Sequence, residues 1–229
     1  MQTMQRYIFT LTLTLCVLAA ALFNTAMAND KDGFTWEIIS DHDQILVHQA
    51  AVAGSKINVY RATTIMELDD LQALIALLQD YSHYPRWLHF ITNSTKVAQI
   101  SALEQLIHVR TLVPWPAKNR EAILHTSFEH TLGNEHTNER LEYRFHIAEE
   151  PFSAAQGYRQ FTRFDGFIRA VVKEENKVVL SYQLHADFGG RIKPWLNNRM
   201  LRNAPYFTLD KMRLLLHSPM YRQLTPQEN

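Results

Sequence analysis

Between Thr95 and Ala186 the chain reads as one β-run after another, and this stretch constrains the fold more than any other feature. The runs are Thr95 to Ile100, Gln105 to Val113, Ala122 to Thr131, Glu139 to Ala148, Gln156 to Phe164, Phe167 to Lys173 and Lys177 to Ala186. Turn signals at Gly133-Asn134, Asp165-Gly166 and Glu175-Asn176 separate several of them. Side chains alternate across a strand, so residues two apart share a face. Leu141, Tyr143, Phe145 and Ile147 therefore share one face, with Glu142, Arg144 and His146 on the other. Val178, Leu180, Tyr182, Leu184 and Ala186 likewise line a single face. Short links between such runs imply an antiparallel sheet, and a large sheet with one apolar face must have that face covered.

The flanking segments supply the cover. Trp36 to Asp43 reads as a short lead-in segment of about one helical turn. Ile45 to Val52 and Ile57 to Ile65 are β-rich and joined through Gly54-Ser55, a hairpin signal. From Glu67 to Asp80 the period changes, with Leu68, Leu71, Leu74, Ile75 and Leu78 at helical spacing. Pro85 pushes Tyr84 out of the helical region and ends that helix. A last helix is expected from about Ile192, with Pro205 allowing a kink or break before Tyr206 to His217. Strands followed by a helix indicate an α+β fold. A helix laid over such a sheet leaves room between the two, which is the candidate site.

The first 28 residues are set apart from this pattern. Arg6 precedes an uncharged apolar run from Tyr7 to Phe23, and Ala26-Met27-Ala28 places small residues at the −3 and −1 positions of a cleavage site before Asn29. The run is short for a membrane span, which needs about 20 residues. Cys16 follows Leu15 and so lacks the small residue that precedes a lipid-modified cysteine. The expectation is a signal peptide over 1–28, a single domain over 29–229, and a periplasmic or secreted product. Cys16, the one cysteine, lies in the leader, so the rest must fold without disulfides. The 23 basic and 23 acidic residues balance, which argues against nucleic acid as a partner.

Two landmarks carry a resemblance. Pro114-Trp115-Pro116 followed by Lys118-Asn119-Arg120-Glu121 makes a rigid tip between two strands. Tyr182-Gln183-Leu184-His185-Ala186-Asp187-Phe188-Gly189-Gly190 runs into Ile192-Lys193-Pro194-Trp195-Leu196-Asn197-Asn198. Together they resemble bacterial members of the START (steroidogenic-acute-regulatory-related lipid transfer) family. Phe188 stands where that family often has proline at the sheet-to-helix corner. The resemblance implies a helix-grip fold, in which a curved antiparallel sheet wraps around a long C-terminal helix with an internal ligand tunnel. It also implies a non-catalytic lipid-binding role without a cofactor, in which a hydrophobic small molecule is the partner and transient membrane contact is compatible. The ligand and the oligomeric state are left open by the sequence.

Strand parity and the expected helix then nominate Leu124, Thr126, Phe128, Tyr143, Phe145, Tyr182, Leu184, Trp195 and Met200 as ligand-binding residues, and the resemblance at the Pro114-Trp115-Pro116 tip implies Trp115 near the tunnel as well. A polar ligand end would meet hydroxyls or amides such as Thr126, Tyr143, Tyr182 or Asn198. Two alternatives stay open. A helix-grip enzyme of cyclase or aromatase type would use a buried acid or base, with Glu121, His125 and Asp187 as candidates. A protein-interaction module would have its cavity closed by Phe145, Phe161 and Phe164. No G-x-S-x-G elbow is present, and the eleven histidines match no zinc-site spacing, so neither a catalytic triad nor a metal is expected. His185 and Asp187 are read as structural parts of the corner.

Overall fold

The computed structural model describes residues 33–222 apart from 69–70, 135–136, 150–151 and 175. The expected signal peptide and its cleavage site lie outside these residues. Among the described residues, β1 (Glu37–His42), β2 (Ile45–Ala50), β3 (Val59–Glu67), β4 (Ile91–Gln99), β5 (Glu104–Thr111), β6 (Asn119–Thr131), β7 (Arg140–Ile147), β9 (Arg163–Glu174) and β10 (Lys177–Asp187) form an open sheet. Its order is β1-β2-β3-β10-β9-β7-β6-β5-β4, antiparallel throughout. The short β8 (Tyr158–Gln160) adds in parallel to residues 119–121 of β6, beyond the point where β7 stops pairing. The helical elements are α1 (Gln72–Gln79), α2 (Tyr84–Trp87), α3 (Pro194–Leu201), α4 (Ala204–Leu216) and α5 (Pro219–Arg222). The expected α+β helix-grip arrangement is what the molecule has.

Several local expectations are corrected. Trp36 to Asp43 is no helical turn: it contains the edge strand β1, completed by pairing with β2. Tyr84 stays helical (φ −51°, ψ −36°), because Pro85 sits in the first turn of α2, where its missing N–H costs nothing. Asp165-Gly166 is not a turn. It lies inside β9, where Gly166 sits opposite Leu184 and Phe145, and a Cβ there would run into the Gln183 carbonyl and the Phe145 ring. The run from Gln156 to Phe164 is therefore split between β8 and the start of β9. The C-terminal helix, by contrast, breaks where Pro205 allows it, and Pro205 sits in the first turn of α4.

Register decides which side each residue takes. Leu124 pairs with Ile107 and Ile147, Tyr143 with Phe128 and Ile168, and Tyr182 with Ile168 and Ala62. One face thus collects Val47, Ala62, Ile107, Leu124, Tyr143, Phe145, Ile168 and Leu180, all buried in the core. Helix α4 covers part of it, lying against β2, β3 and β10 with Ala204, Thr208, Leu209, Met212 and Leu216 inward. Those positions recur at three- and four-residue spacing, the stripe a surface helix presents to a core. Tyr206 donates a 2.6 Å hydrogen bond to Asp43, and Arg213 reaches the Asp43 carbonyl at 2.9 Å, tying α4 to the β1–β2 turn.

The corner between β10 and α3 is locked by polar contacts. Gly189 and Gly190 take positive φ (63° and 67°), a conformation glycine adopts without strain. Asp187 accepts the Gly189 N–H at 2.8 Å. Asn197 accepts the Phe188 N–H at 2.9 Å and donates to the Ala186 carbonyl at 3.0 Å.

Candidate functional site

Between the sheet and the helices lies a cavity of about 10 Å³, lined by Leu124, Tyr143, Phe145, Phe164 and Ile168 from the sheet and by Tyr84, Trp87 and Leu88 from α2 and its end. That is the room of roughly one water molecule. No lining residue carries a charge. Aromatic rings fill the adjoining space: Phe164 is 5.7 Å from Phe145 and 5.0 Å from Phe161, and Phe161 is 5.2 Å from Phe188. These tilted and edge-on contacts are the ones aromatic pairs prefer.

Polar groups inside this region form a short relay. Tyr84 donates to the Leu78 carbonyl at 2.6 Å, and the Tyr143 hydroxyl lies 2.7 Å from that of Tyr84. Tyr84 has its proton on Leu78, so Tyr143 donates to Tyr84. Thr126 donates to the Gln105 carbonyl at 3.3 Å. Burial raises the Tyr143 phenol to about 12 and pushes Tyr84 and Tyr182 up as well, so all three are neutral near physiological pH.

Of the residues nominated from sequence, Leu124, Tyr143 and Phe145 line the cavity itself. Tyr182 and Leu184 are buried on the same face, with the Tyr182 ring 6.2 Å from Phe145. Thr126 is buried beside them, and half-buried Phe128 lies 4.8 Å from the Tyr143 ring. Met200 packs at the margin of the core. Trp115 and Trp195 are corrections: at 92% and 65% exposure neither is inside. Trp115 stands at the tip of a turn that carries it past the end of the sheet, and Trp195 is on the outward side of α3, whose buried residues are Asn197 and Leu201. Asn198 is committed elsewhere, accepting the Asn58 N–H at 3.0 Å and donating to Lys56 at 3.1 Å.

Sequence reasoning missed Tyr84, Trp87, Leu88 and Ile168 as lining residues, and named Phe164 only as a side chain that would close the cavity. The first three recur at i, i+3 and i+4, a helical turn hidden by reading Pro85 as a stop. Phe164 and Ile168 bracket Gly166 and fall on one face as soon as Asp165-Gly166 is read as strand.

The ionisable candidates lie away from the cavity. Glu121 faces outward from β6, where it meets His108 and Arg110 (both 3.0 Å) and accepts the Ala155 N–H. Burial raises its pKa, but those bonds outweigh it and the net shift is downward. His125 faces His146 on the same outer side, ring centres 5.0 Å apart. Arg120 and Glu121 do not pair, since neighbours on a strand point to opposite faces. Arg120 instead donates to the carbonyls of Lys118, Phe188 and Gly189, joining the Trp115 turn to the β10 corner. No cluster of His, Cys, Asp or Glu suited to a metal is present among the described residues.

Solved structures share this arrangement. A STAR-related lipid transfer protein from Xanthomonas axonopodis superposes with a TM-score of 0.70 at 23% identity, covering 80% of this chain and 99% of that one. The chain has the START fold. Human StAR-related lipid transfer protein 5 gives a TM-score of 0.67 at 13% identity, covering 89% of this chain and 95% of that one. By sequence, an uncharacterised protein of Pseudomonas aeruginosa is 27% identical over 204 residues, 88% of this chain and 95% of that one. No known family profile matches the chain.

Proposed function

We propose that this START-fold chain binds a hydrophobic, lipid-like molecule between its sheet and helices and leaves it chemically unchanged. The observation that carries this reading is the uncharged wall: aliphatic groups, aromatic rings and neutral phenols, with no carboxylate, imidazole or amine among the cavity's lining residues. General acid–base chemistry near neutrality wants a group titrating near the working pH. The phenols are shifted away from that range, and Glu121, His125 and Asp187 are engaged elsewhere. Burying about 400 Å² of apolar ligand surface at roughly 25 cal/mol/Å² supplies about 10 kcal/mol before ordering costs, enough for stoichiometric binding.

The cavity as it stands is far smaller than a lipid. Uptake on this reading requires the crowding rings of Phe145, Phe161 and Phe164 to turn aside. The same crowding favours the second reading, a protein-interaction module with a closed interior. The apolar run and cleavage signal of the first 28 residues make export to the cell envelope part of the proposal. Sequencing the N-terminus of protein from a periplasmic fraction should then start near Asn29.

Mass spectrometry of organic extracts from natively purified protein tests the main reading. One apolar compound per chain, or uptake of one from vesicles without conversion, is expected. Absence of any co-purifying or captured lipid would favour the closed module. A converted product, lost in a folded Asp187→Ala variant, would establish the enzyme.

A further inference from the structure

Trp87 lines the cavity and is fully buried, yet its indole Nε1 finds no hydrogen-bond acceptor among the described residues. Buried polar groups are nearly always satisfied, so an orphaned donor on a side chain that lines the cavity asks for an explanation. The neighbouring polar atoms do not answer it. Tyr84 is 4.9 Å away ring to ring, but its hydroxyl is already engaged by the Leu78 carbonyl and by Tyr143. Thr126 and Tyr143 keep lone pairs free to accept, but neither oxygen lies within hydrogen-bond reach of Nε1. An indole N–H can only donate, so what it lacks is an acceptor and never a second donor.

We infer that Trp87 Nε1 recognises an acceptor oxygen on an uncharged ligand, such as the carbonyl or hydroxyl of a neutral lipid. This rests on the binding reading above and deepens it by naming the ligand's polar end. The neutrality follows from the walls: an anionic head would meet one indole donor and no cation, and a cationic head would meet no carboxylate. Aliphatic and aromatic neighbours at Leu88, Leu124, Phe145, Phe164 and Ile168 then surround the carbons next to that oxygen. Trp87 is thus a specificity-determining residue, separating oxygen-bearing neutral lipids from both pure hydrocarbons and charged amphiphiles.

Three probes of similar length test this on the full chain: heptadecan-2-one, heptadecane and stearate, each delivered from cyclodextrin. The ketone should bind about tenfold more tightly than the alkane, the ratio expected for one net hydrogen bond. Stearate should bind at least about tenfold more weakly than the ketone, since its charge is desolvated without a partner. In ¹⁵N-resolved spectra of the wild type, the Trp87 indole proton should move downfield with the ketone and stay in place with the alkane. In Trp87→Phe the ketone should fall to within about threefold of the alkane. The spectral readout needs no substitution, so it holds even where that variant folds poorly. Equal binding of ketone and alkane, or an unmoved Trp87 resonance, overturns the assignment while leaving the lipid-binding reading intact. Stearate bound as tightly as the ketone overturns the neutrality. Failure of all three probes to bind overturns the lipid-binding reading, and this one with it.

Discussion

The two faces of the sheet solve opposite problems. On the helix-facing side, Leu124, Tyr143, Phe145, Ile168 and Tyr182 are buried without any ion pair, and the polar groups among them are neutral; Arg120, which shares the parity of Leu124, is spent at the β10 corner on the carbonyls of Lys118, Phe188 and Gly189. On the outer side, charge is buried and answered. Glu142, with 1% of its side chain exposed, meets Arg140, Arg144 and Arg169, the last at 2.8 Å. Arg61 is buried against Gln183, with its guanidinium 4.2 Å from the centre of the Trp36 ring. Arg169 lies over Phe167 at 4.3 Å. Strand alternation sends neighbouring residues to these two environments, so one β-run builds an ion network and an apolar wall at once. Charge on the outer side therefore reports on holding the sheet, and absence of charge among the residues lining the cavity reports on what that space can accept.

The strongest test of this division puts a charge on the wrong side. Leu124→Arg places a cation at the cavity wall with no carboxylate to meet it, and should cost about 5 kcal/mol in a denaturant titration and abolish lipid uptake. Near-normal stability would mean that the inner face is wetter than its lining indicates. Phe145→Ala removes the ring that crowds the cavity. It should cost about 3–5 kcal/mol yet admit bulkier lipids, so stability and uptake should move in opposite directions. Loss of both together would mark Phe145 as core alone.

On the outer side, Glu142→Gln should lower stability by about 2–3 kcal/mol, discounted because its arginines are part-exposed, and leave ligand affinity of the folded protein unchanged. The faces also differ in pH response. Burial raises Glu142, but Arg169 and Arg140 outweigh it and bring the carboxylate below its ordinary 4.5; Glu121 is lowered too. Their stabilisation is fully present above about pH 4.5 and is lost as pH falls through the lowered folded values. Tyr143 runs the other way: raised from 10.0 to about 12 by burial, it contributes fully below pH 10 and loses that contribution as pH rises toward 12. Acid melting should thus be blunted in Glu142→Gln and alkaline melting in Tyr143→Phe. The smallest effect belongs to Trp115→Ala, which should shift stability by less than about 0.5 kcal/mol, because the side chain is 92% exposed.

Alternation along β6, β7 and β10 was legible in the residues, and with it the wall positions Leu124, Tyr143 and Phe145, because a period of two needs only local sequence. What was misread depended on partners. Asp165-Gly166 looks like a turn until β10 brings the Gln183 carbonyl against it, at which point glycine is required by close approach and not by bending. Tyr84-Pro85-Arg86-Trp87 looks like a helix end, although a proline in the first turn begins one. Trp115 and Trp195 look like apolar knobs, and nothing local reveals that the chain around them leads outward.

The sequence by itself determined the α+β class, the antiparallel sheet and the parity of its strands, since alternation and helical spacing are properties of neighbouring residues. Only the tertiary structure decided which helix covers the wall, that the interior is packed nearly shut by Phe145, Phe161 and Phe164, and that Trp87 is left with an unanswered donor. Those outcomes depend on rings and strands far apart in the chain meeting within a few ångströms, which register and crossover set and local sequence does not encode.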